Sequence, residues 1–215
     1  MKVTDMSKAN MIELFFDCSS PWTYLAFHNI QPLARELNVP IHSKPILVGG
    51  IFNSVNPSVY EMRKHPVPAK QAYMLKDLQD WSSAADLKIV MPPKVFPVNS
   101  VKAMRGCIWL LQQEASVEKP AMVRFAKAVF EAYWTREEDI SQDAVLADIC
   151  ESLGVDVKAF FEGIGQSAIK DQLKANTEEV ISRGGFGSPT MFVGDDMYFG
   201  NDRLGLLKEA VLKKN

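Results

Sequence analysis

Read by the spacing of its hydrophobic positions, the chain opens with a continuous apolar run, "MIELFF" at 11–16, which suits a strand buried on both faces. After Pro21 the step lengthens. Trp22, Leu25, Ala26, Ile30, Leu33 and Leu37 recur at three- and four-residue intervals, which places them on one helical face. "NVPIHSKPIL" at 38–47 is extended and β-branched again. The opening therefore predicts strand, helix, strand, with the two strands parallel and the crossover right-handed.

From Gly49 to Pro97 the pattern is irregular, with "GGIFNSVNPS", "HPVPAK" and "VMPPKVFPVNS" around one amphipathic stretch, "QAYMLKDLQDWSSAADL". These predict long loops around a single helix. Five segments with helical spacing follow: "VKAMRGCIWLLQQEA", "KPAMVRFAKAVFEAYWT", "SQDAVLADICESLG", "DVKAFFEGI" and "SAIKDQLKANTEEVISRGG". Several carry Ser or Asp at the N-cap and Gly at the end. At the C-terminal end "SPTMFV", the turn "GDD" and "MYF" predict a hairpin, and "GNDRLGLLKEAVLKK" a closing helix with Asn201 or Asp202 near its N-cap. The order β-α-β, helical insertion, β-β-α is the α/β thioredoxin-type arrangement. It divides the chain into an N-terminal extension (1–10), a thioredoxin-like domain (11–56 and 184–215) and an inserted all-helical domain (57–183).

Composition narrows the function. A chain of 215 residues that is 47% hydrophobic can bury a sizeable core, and a net charge of -2 leaves no basic excess for nucleic acid. The apolar runs are too short for a bilayer span, and "MKVTDMSKANM" lacks the apolar stretch of a secretory signal. Cys18, Cys107 and Cys150 are too dispersed for a CxxC or zinc motif. The expectation is a soluble, cytoplasmic protein in a reducing compartment, with no membrane or nucleic-acid partner. His28, His42 and His65 have no second ligand at helical spacing, so no metal site is expected.

The chemistry concentrates at the two ends. "FFDCSSPWTYLA" is a strand, a tight loop and a helix start, with Ser20 and Thr23 where a redox protein would have two cysteines. In a thioredoxin-type fold the reactive group sits at the N-terminus of the first helix, where free N–H groups and the dipole favour negative charge. The Ser20 hydroxyl does not ionise near neutral pH, but it can donate to an anion supplied from outside, such as a thiolate. A charge-assisted hydrogen bond contributes about 1.5 to 3 kcal/mol, which lowers the acceptor pKa by about one to two. A thiol starting near about 8.5 is then largely ionised close to neutrality. The plain alternative is that Ser20 only caps the helix ahead of Pro21.

"GFGSPTMFV" adds Ser188 and Pro189, placed where that fold has a cis-proline facing the reactive loop. The residue before the proline offers its main-chain N–H and C=O to an extended peptide. In "FGNDR", Asn201 and Asp202 are suited either to holding an α-amino and α-carboxylate group or to plain capping.

Together these residues resemble the family of kappa-class glutathione transferases and 2-hydroxychromene-2-carboxylate isomerases, a DsbA-like branch of the thioredoxin fold. The matching segments are "FFDCSSPWTYLA", "GGIFNSVNP", "FPVNS" and "FGSPTMFVGDDMYFGNDR", and with the helical region they span nearly the whole chain. The wording is nearer the isomerase branch. The resemblance implies glutathione as cofactor, with Ser20 beside its sulfur, and Asn56 (or its rival Asn53) near the cysteinyl part. It also implies Ser188 and Pro189 pairing with that cysteinyl unit, and Asn201 and Asp202 holding the γ-glutamyl end. Trp22 and Trp134 are candidates for the substrate pocket, with a packed core aromatic as the other reading of Trp134. A homodimer and a small aromatic substrate from aromatic catabolism are implied as well. For the isomerase branch the chemistry is addition of the glutathione thiolate to a conjugated double bond, rotation and departure. A kappa-class-like transferase or peroxidase is the second reading, and a noncatalytic thioredoxin-fold binding module the third. Thr23 cannot resolve a mixed disulfide, which disfavours dithiol exchange. Cys18 is read as a small buried hydrophobe or an accessory thiol.

Overall fold

The computed structural model describes residues 11–113 and 121–214. The extension at 1–10 lies outside the described residues, as do the end of the helix expected at 101–115 and the start of the one expected at 119–135. A four-stranded sheet of order β2-β1-β3-β4 organises the fold: β1 (Ile12–Phe16), β2 (Ile41–Pro45), β3 (Thr190–Val193) and β4 (Asp196–Phe199). β1 and β2 are parallel, with Ile12 opposite Ile41 and Phe16 opposite Pro45, and α1 (Pro21–Leu37) forms the crossover. β3 lies antiparallel to β1 with Leu14 opposite Met191, and β4 completes the hairpin. The strand, helix, strand opening and the closing hairpin are as expected.

Because β1 is central, all five of its residues are buried. Ile12, Leu14 and Phe16 join the large core, whereas Phe15 joins a smaller cluster with Ile46, Ile51, Val180 and Phe192. The large core is shared between the sheet, α1 and the helices of the insertion. That explains a difference on α1, where Tyr24 and Phe27 are buried beside the expected Leu25, Ala26 and Ile30. Tyr24 stacks on Phe130 at 5.1 Å and Phe27 packs on the same ring at 5.4 Å. The helix is covered by the insertion as well as by the sheet, so its buried arc is wider than one stripe.

The segment at 49–97 corrects the expectation of one helix among loops. It holds three: α2 (Val48–Ser54), α3 (Ser58–Lys64) and α4 (Pro68–Ala84). Only Ile51 is fully buried on α2 and no residue is on α3, so neither has the apolar periodicity that marks a helix in sequence. The helices α5 (Val101–Gln113), α6 (Ala121–Phe130), α7 (Asp143–Ser152), α8 (Val157–Gly165) and α9 (Ser167–Ser182) follow as expected. α6 ends in a π-helical turn, Glu131–Thr135, which carries Tyr133 and Trp134. The chain closes with a 3-10 turn, Asn201–Arg203, and α10 (Leu204–Lys214).

Candidate functional site

The sheet brings the two chemically distinctive segments together. β1 and β3 are neighbours, so the loop leaving β1 meets the loop entering β3, although 168 residues separate Ser20 from Ser188. Ser20 is extended (φ -113, ψ 126) at the N-cap of α1, and its Oγ accepts the Thr23 N–H at 3.2 Å. The same hydroxyl donates to the Ser188 carbonyl at 3.3 Å. The capping reading is therefore realised, and the hydroxyl proton also points to the segment expected to receive a peptide. The Ser188–Pro189 bond is cis.

Ser188 is held mainly through its side chain. Its Oγ accepts the Asp17 N–H at 3.0 Å and shares a hydrogen bond of 2.8 Å with Thr23 Oγ1. Outside the β3 ladder, its main-chain N–H and C=O have no main-chain partner among the described residues. A residue whose N–H and C=O are without main-chain partners, beside a hydroxyl, is suited to an extended ligand.

Asp17 organises the loop from below. Its carboxylate is 1% exposed and accepts the Ser19 N–H and the Val48 N–H, both at 2.9 Å. Burial pushes this carboxyl up, and the hydrogen bonds from Val48, Ser19 and Ser100 offset that only in part. Nothing in the sequence reading singled out Asp17. The signal available was the D-x-S spacing of an Asx turn directly ahead of a helix start.

Trp134 is corrected. It is fully buried, and its Nε1–H donates to the Cys18 carbonyl at 2.8 Å, with Tyr133 packed on it at 4.5 Å. It therefore supports the loop from the core side and has no surface to present to a substrate. The π-helical turn delivers it there. Trp22 is half-buried in the first turn of α1. Cys18 is fully buried beside Cys107, and burial, with that neighbour, pushes its thiol well up, so it is a packed hydrophobe rather than a nucleophile.

Asn56 is joined to the Ser188 loop: its Nδ2 donates to the Phe186 carbonyl at 3.0 Å and its Oδ1 accepts from Ser58 Oγ at 2.7 Å. Asn53 accepts from Tyr60 at 2.8 Å and is exposed, and no bond joins it to that loop among the described residues. Asn201 is 4% exposed and its Oδ1 accepts from Asn29 at 3.0 Å, so it ties the last turn to α1 and does not cap α10. Its Nδ2 is buried without a hydrogen-bond partner among the described residues. Gly200, at φ +101, makes the turn that sets Asn201 there, a conformation a side chain would strain. Asp202 is about half exposed and pairs with Arg203 at 2.7 Å.

Sheet order, the cis-proline and a hydroxyl at the first helix start define a thioredoxin-fold protein of the DsbA type. Residues 11–212 match the DSBA-like thioredoxin domain, and the chain belongs to that family. Within it, a 2-hydroxychromene-2-carboxylate isomerase of Pseudomonas sp. (strain C18) is 31% identical over 204 residues, 94% of this chain and 90% of that protein. Human glutathione S-transferase kappa 1 is 27% identical over 94% of this chain and 91% of its own length. A solved 2-hydroxychromene-2-carboxylate isomerase superposes with a TM-score of 0.78 at 28% identity, covering 94% of this chain and 95% of the other. These named relatives are enzymes, and the similarity runs through both ends of the site.

Proposed function

We propose that this chain is a glutathione-dependent isomerase acting on 2-hydroxychromene-2-carboxylate-like intermediates of aromatic degradation. The observation that carries the reading is the pairing of the Ser20 hydroxyl with a Ser188 main chain left free of main-chain partners. Ser20 donates to the sulfur and takes no covalent part. The N–H and C=O of Ser188, ahead of Pro189, pair with the cysteinyl backbone. Asn201, through its buried and unpaired Nδ2, and Asp202 hold the γ-glutamyl end, and the orphaned donor is a specific fit to a carboxylate. Asn56 acts by holding the Phe186 carbonyl and so the loop that carries Ser188. Bound there, glutathione supplies a thiolate that adds reversibly to a conjugated double bond. Trp22, half-buried beside Ser20, is the aromatic placed to border the substrate.

A kappa-class-like transferase or peroxidase uses the same residues and is the second reading, favoured by the similarity to the kappa enzymes. A homodimer is supported by α3 and α4, which expose Met62 at 62% and Tyr73 at 65%, large apolar groups that a second copy would cover. Buried, unpaired Cys18, Cys107 and Cys150 support a reducing, cytoplasmic setting.

The decisive experiment is Ser20→Ala, read by the thiolate absorbance of bound glutathione and by turnover of a hydroxychromene acid against a halogenated aromatic. Loss of one charge-assisted hydrogen bond predicts a fall of about tenfold to a hundredfold in turnover and a matching fall in thiolate at neutral pH. Unchanged ionisation and rate would remove Ser20 from the mechanism. Conversion of the halogenated compound alone would favour the transferase.

A further inference from the structure

We propose that Thr23 and the Ser188 hydroxyl form a positioning pair that sets glutathione affinity separately from the ionisation of its sulfur. The inference rests on the proposed function and concerns how the Ser188 peptide is held. That peptide lies outside the β3 ladder, Pro189 has no N–H to add, and no main-chain bond fixes the Ser188 N–H or C=O among the described residues. What fixes it is the side chain: the Asp17 N–H at 3.0 Å and Thr23 Oγ1 at 2.8 Å. Thr23 is 0% exposed, Asp17 1% and Ser188 8%, so water does not replace either bond cheaply.

Thr23 occupies the position of the second redox cysteine, three residues after Ser20 and therefore on the same side of the helix start. Its backbone and its side chain serve different groups. The Thr23 N–H donates to Ser20 Oγ at 3.2 Å, whereas among the described residues its hydroxyl reaches only Ser188. A change confined to the hydroxyl therefore leaves the Ser20 cap intact while loosening the peptide that docks the ligand. The division has a further consequence. With no ligand, the Ser20 proton is donated to the Ser188 carbonyl at 3.3 Å. A ligand amide that takes over that carbonyl releases the hydroxyl for the sulfur. Keeping the Ser188 carbonyl in place is thus a matter of binding, and donating to the sulfur a matter of ionisation.

The test uses the whole protein and glutathione itself, with Thr23→Val, Ser188→Ala, the double variant, Thr23→Ser and Ser20→Ala. Each is titrated for Kd by calorimetry and for the pKa of the bound thiol by its thiolate absorbance, with thermal unfolding as a check on the fold. Thr23→Val is expected to raise Kd about fivefold, the effect of one lost buried hydrogen bond, and Ser188→Ala, which also frees the Asp17 N–H, by more, both leaving the bound thiol pKa where it was. The double variant is expected to be no worse than Ser188→Ala alone, because that change already removes the bond Thr23→Val removes. Thr23→Ser, which keeps the hydroxyl, is expected to bind like the wild type.

An unchanged Kd in Thr23→Val, a rise in the bound thiol pKa in that variant, or additive effects in the double variant would each overturn the pair. Ser20→Ala separates this from failure of the functional reading. If it raises the thiol pKa while Thr23→Val binds normally, only the positioning pair falls. A wild-type protein that does not bind glutathione overturns both.

Discussion

Two buried carboxylates on one strand and its exit loop, Glu13 and Asp17, show how differently the same chemical group is used four residues apart. Glu13 is the second residue of β1 and is ion-paired at 2.8 Å to both Lys44 and Arg183. Burial pushes its carboxyl up, but those two cations outweigh it and hold the group below its ordinary value. Asp17, where β1 ends, has no cation paired with it among the described residues. Its oxygens accept from main-chain N–H groups and a serine, and burial prevails, so its carboxyl is pushed up. Charge neutralised by charge fastens the inner strands of the sheet, where Arg183 also lies 3.7 Å over the Phe192 ring. Charge spread over neutral donors shapes a loop, because each N–H it accepts fixes one peptide of the site.

The contrast can be broken most forcefully at Asp17. In Asp17→Asn the new amide opposes one of the two N–H groups, that of Ser19 or that of Val48, donor to donor and leaves it unpaired. The expected loss in urea unfolding is about 2 to 3 kcal/mol, with weakened glutathione binding. Glu13→Gln is expected to cost less, about 1 to 2 kcal/mol, since Lys44 and Arg183 both keep Glu179, at 2.6 Å and 3.2 Å.

The pH dependences sharpen the comparison because their signs are opposed. The lowered Glu13 carboxyl contributes stability above its ordinary value of 4.5 and loses it as pH falls through the folded value. The cost of Glu13→Gln should therefore grow as pH rises from the folded value to the ordinary 4.5 and hold level from there to neutrality. The raised Asp17 carboxyl contributes most below its ordinary value of 3.8 and loses that contribution as pH rises through the folded value. The cost of Asp17→Asn should shrink as pH rises from 3.8 through the folded value. Unfolding free energies that change in parallel for the two variants would show that the difference in partners does not govern their ionisation.

Glu13 and Asp17 also mark where sequence reading reaches its limit. The apolar run of β1 was legible because every position in a central strand is buried, and even the charge at Glu13 did not disguise it. The closing hairpin was legible from its turn residues. α2 and α3 were not, because helices with almost nothing buried leave no periodic trace. Ser20, Ser188 and Pro189 were picked out as types in the right order along the chain. The bond from Thr23 to Ser188 was not, since it spans 165 residues and depends on which strands become neighbours. Trp134 was noticed, but its side was not readable: spacing identifies an aromatic on a helical segment, and only the π-helical turn decides that its indole meets the underside of the loop.

That placement gives the next prediction in size. Trp134→Phe keeps most of the ring but removes the donor to the Cys18 carbonyl, one residue past Asp17. The expected loss is about 1 kcal/mol, with faster amide exchange in the 17–20 loop while β1 stays protected. If exchange rises evenly across the sheet, the loop is not held independently of β1.

The smallest effect tests the comparison from the solvent side. Asp202 pairs with Arg203 at 2.7 Å, closer than either ion pair of Glu13, yet each side chain is about half exposed. Water screens such a pair, and ordering two neighbouring side chains offsets part of what remains. Arg203→Gln should therefore change unfolding free energy by less than about 0.5 kcal/mol and show little dependence on salt beyond that of the wild type. Freed of Arg203, Asp202 also becomes more available to an ammonium group, so glutathione affinity should hold or rise slightly. A cost comparable to that of Glu13→Gln would mean that distance, and not burial, decides what a carboxylate contributes in this fold.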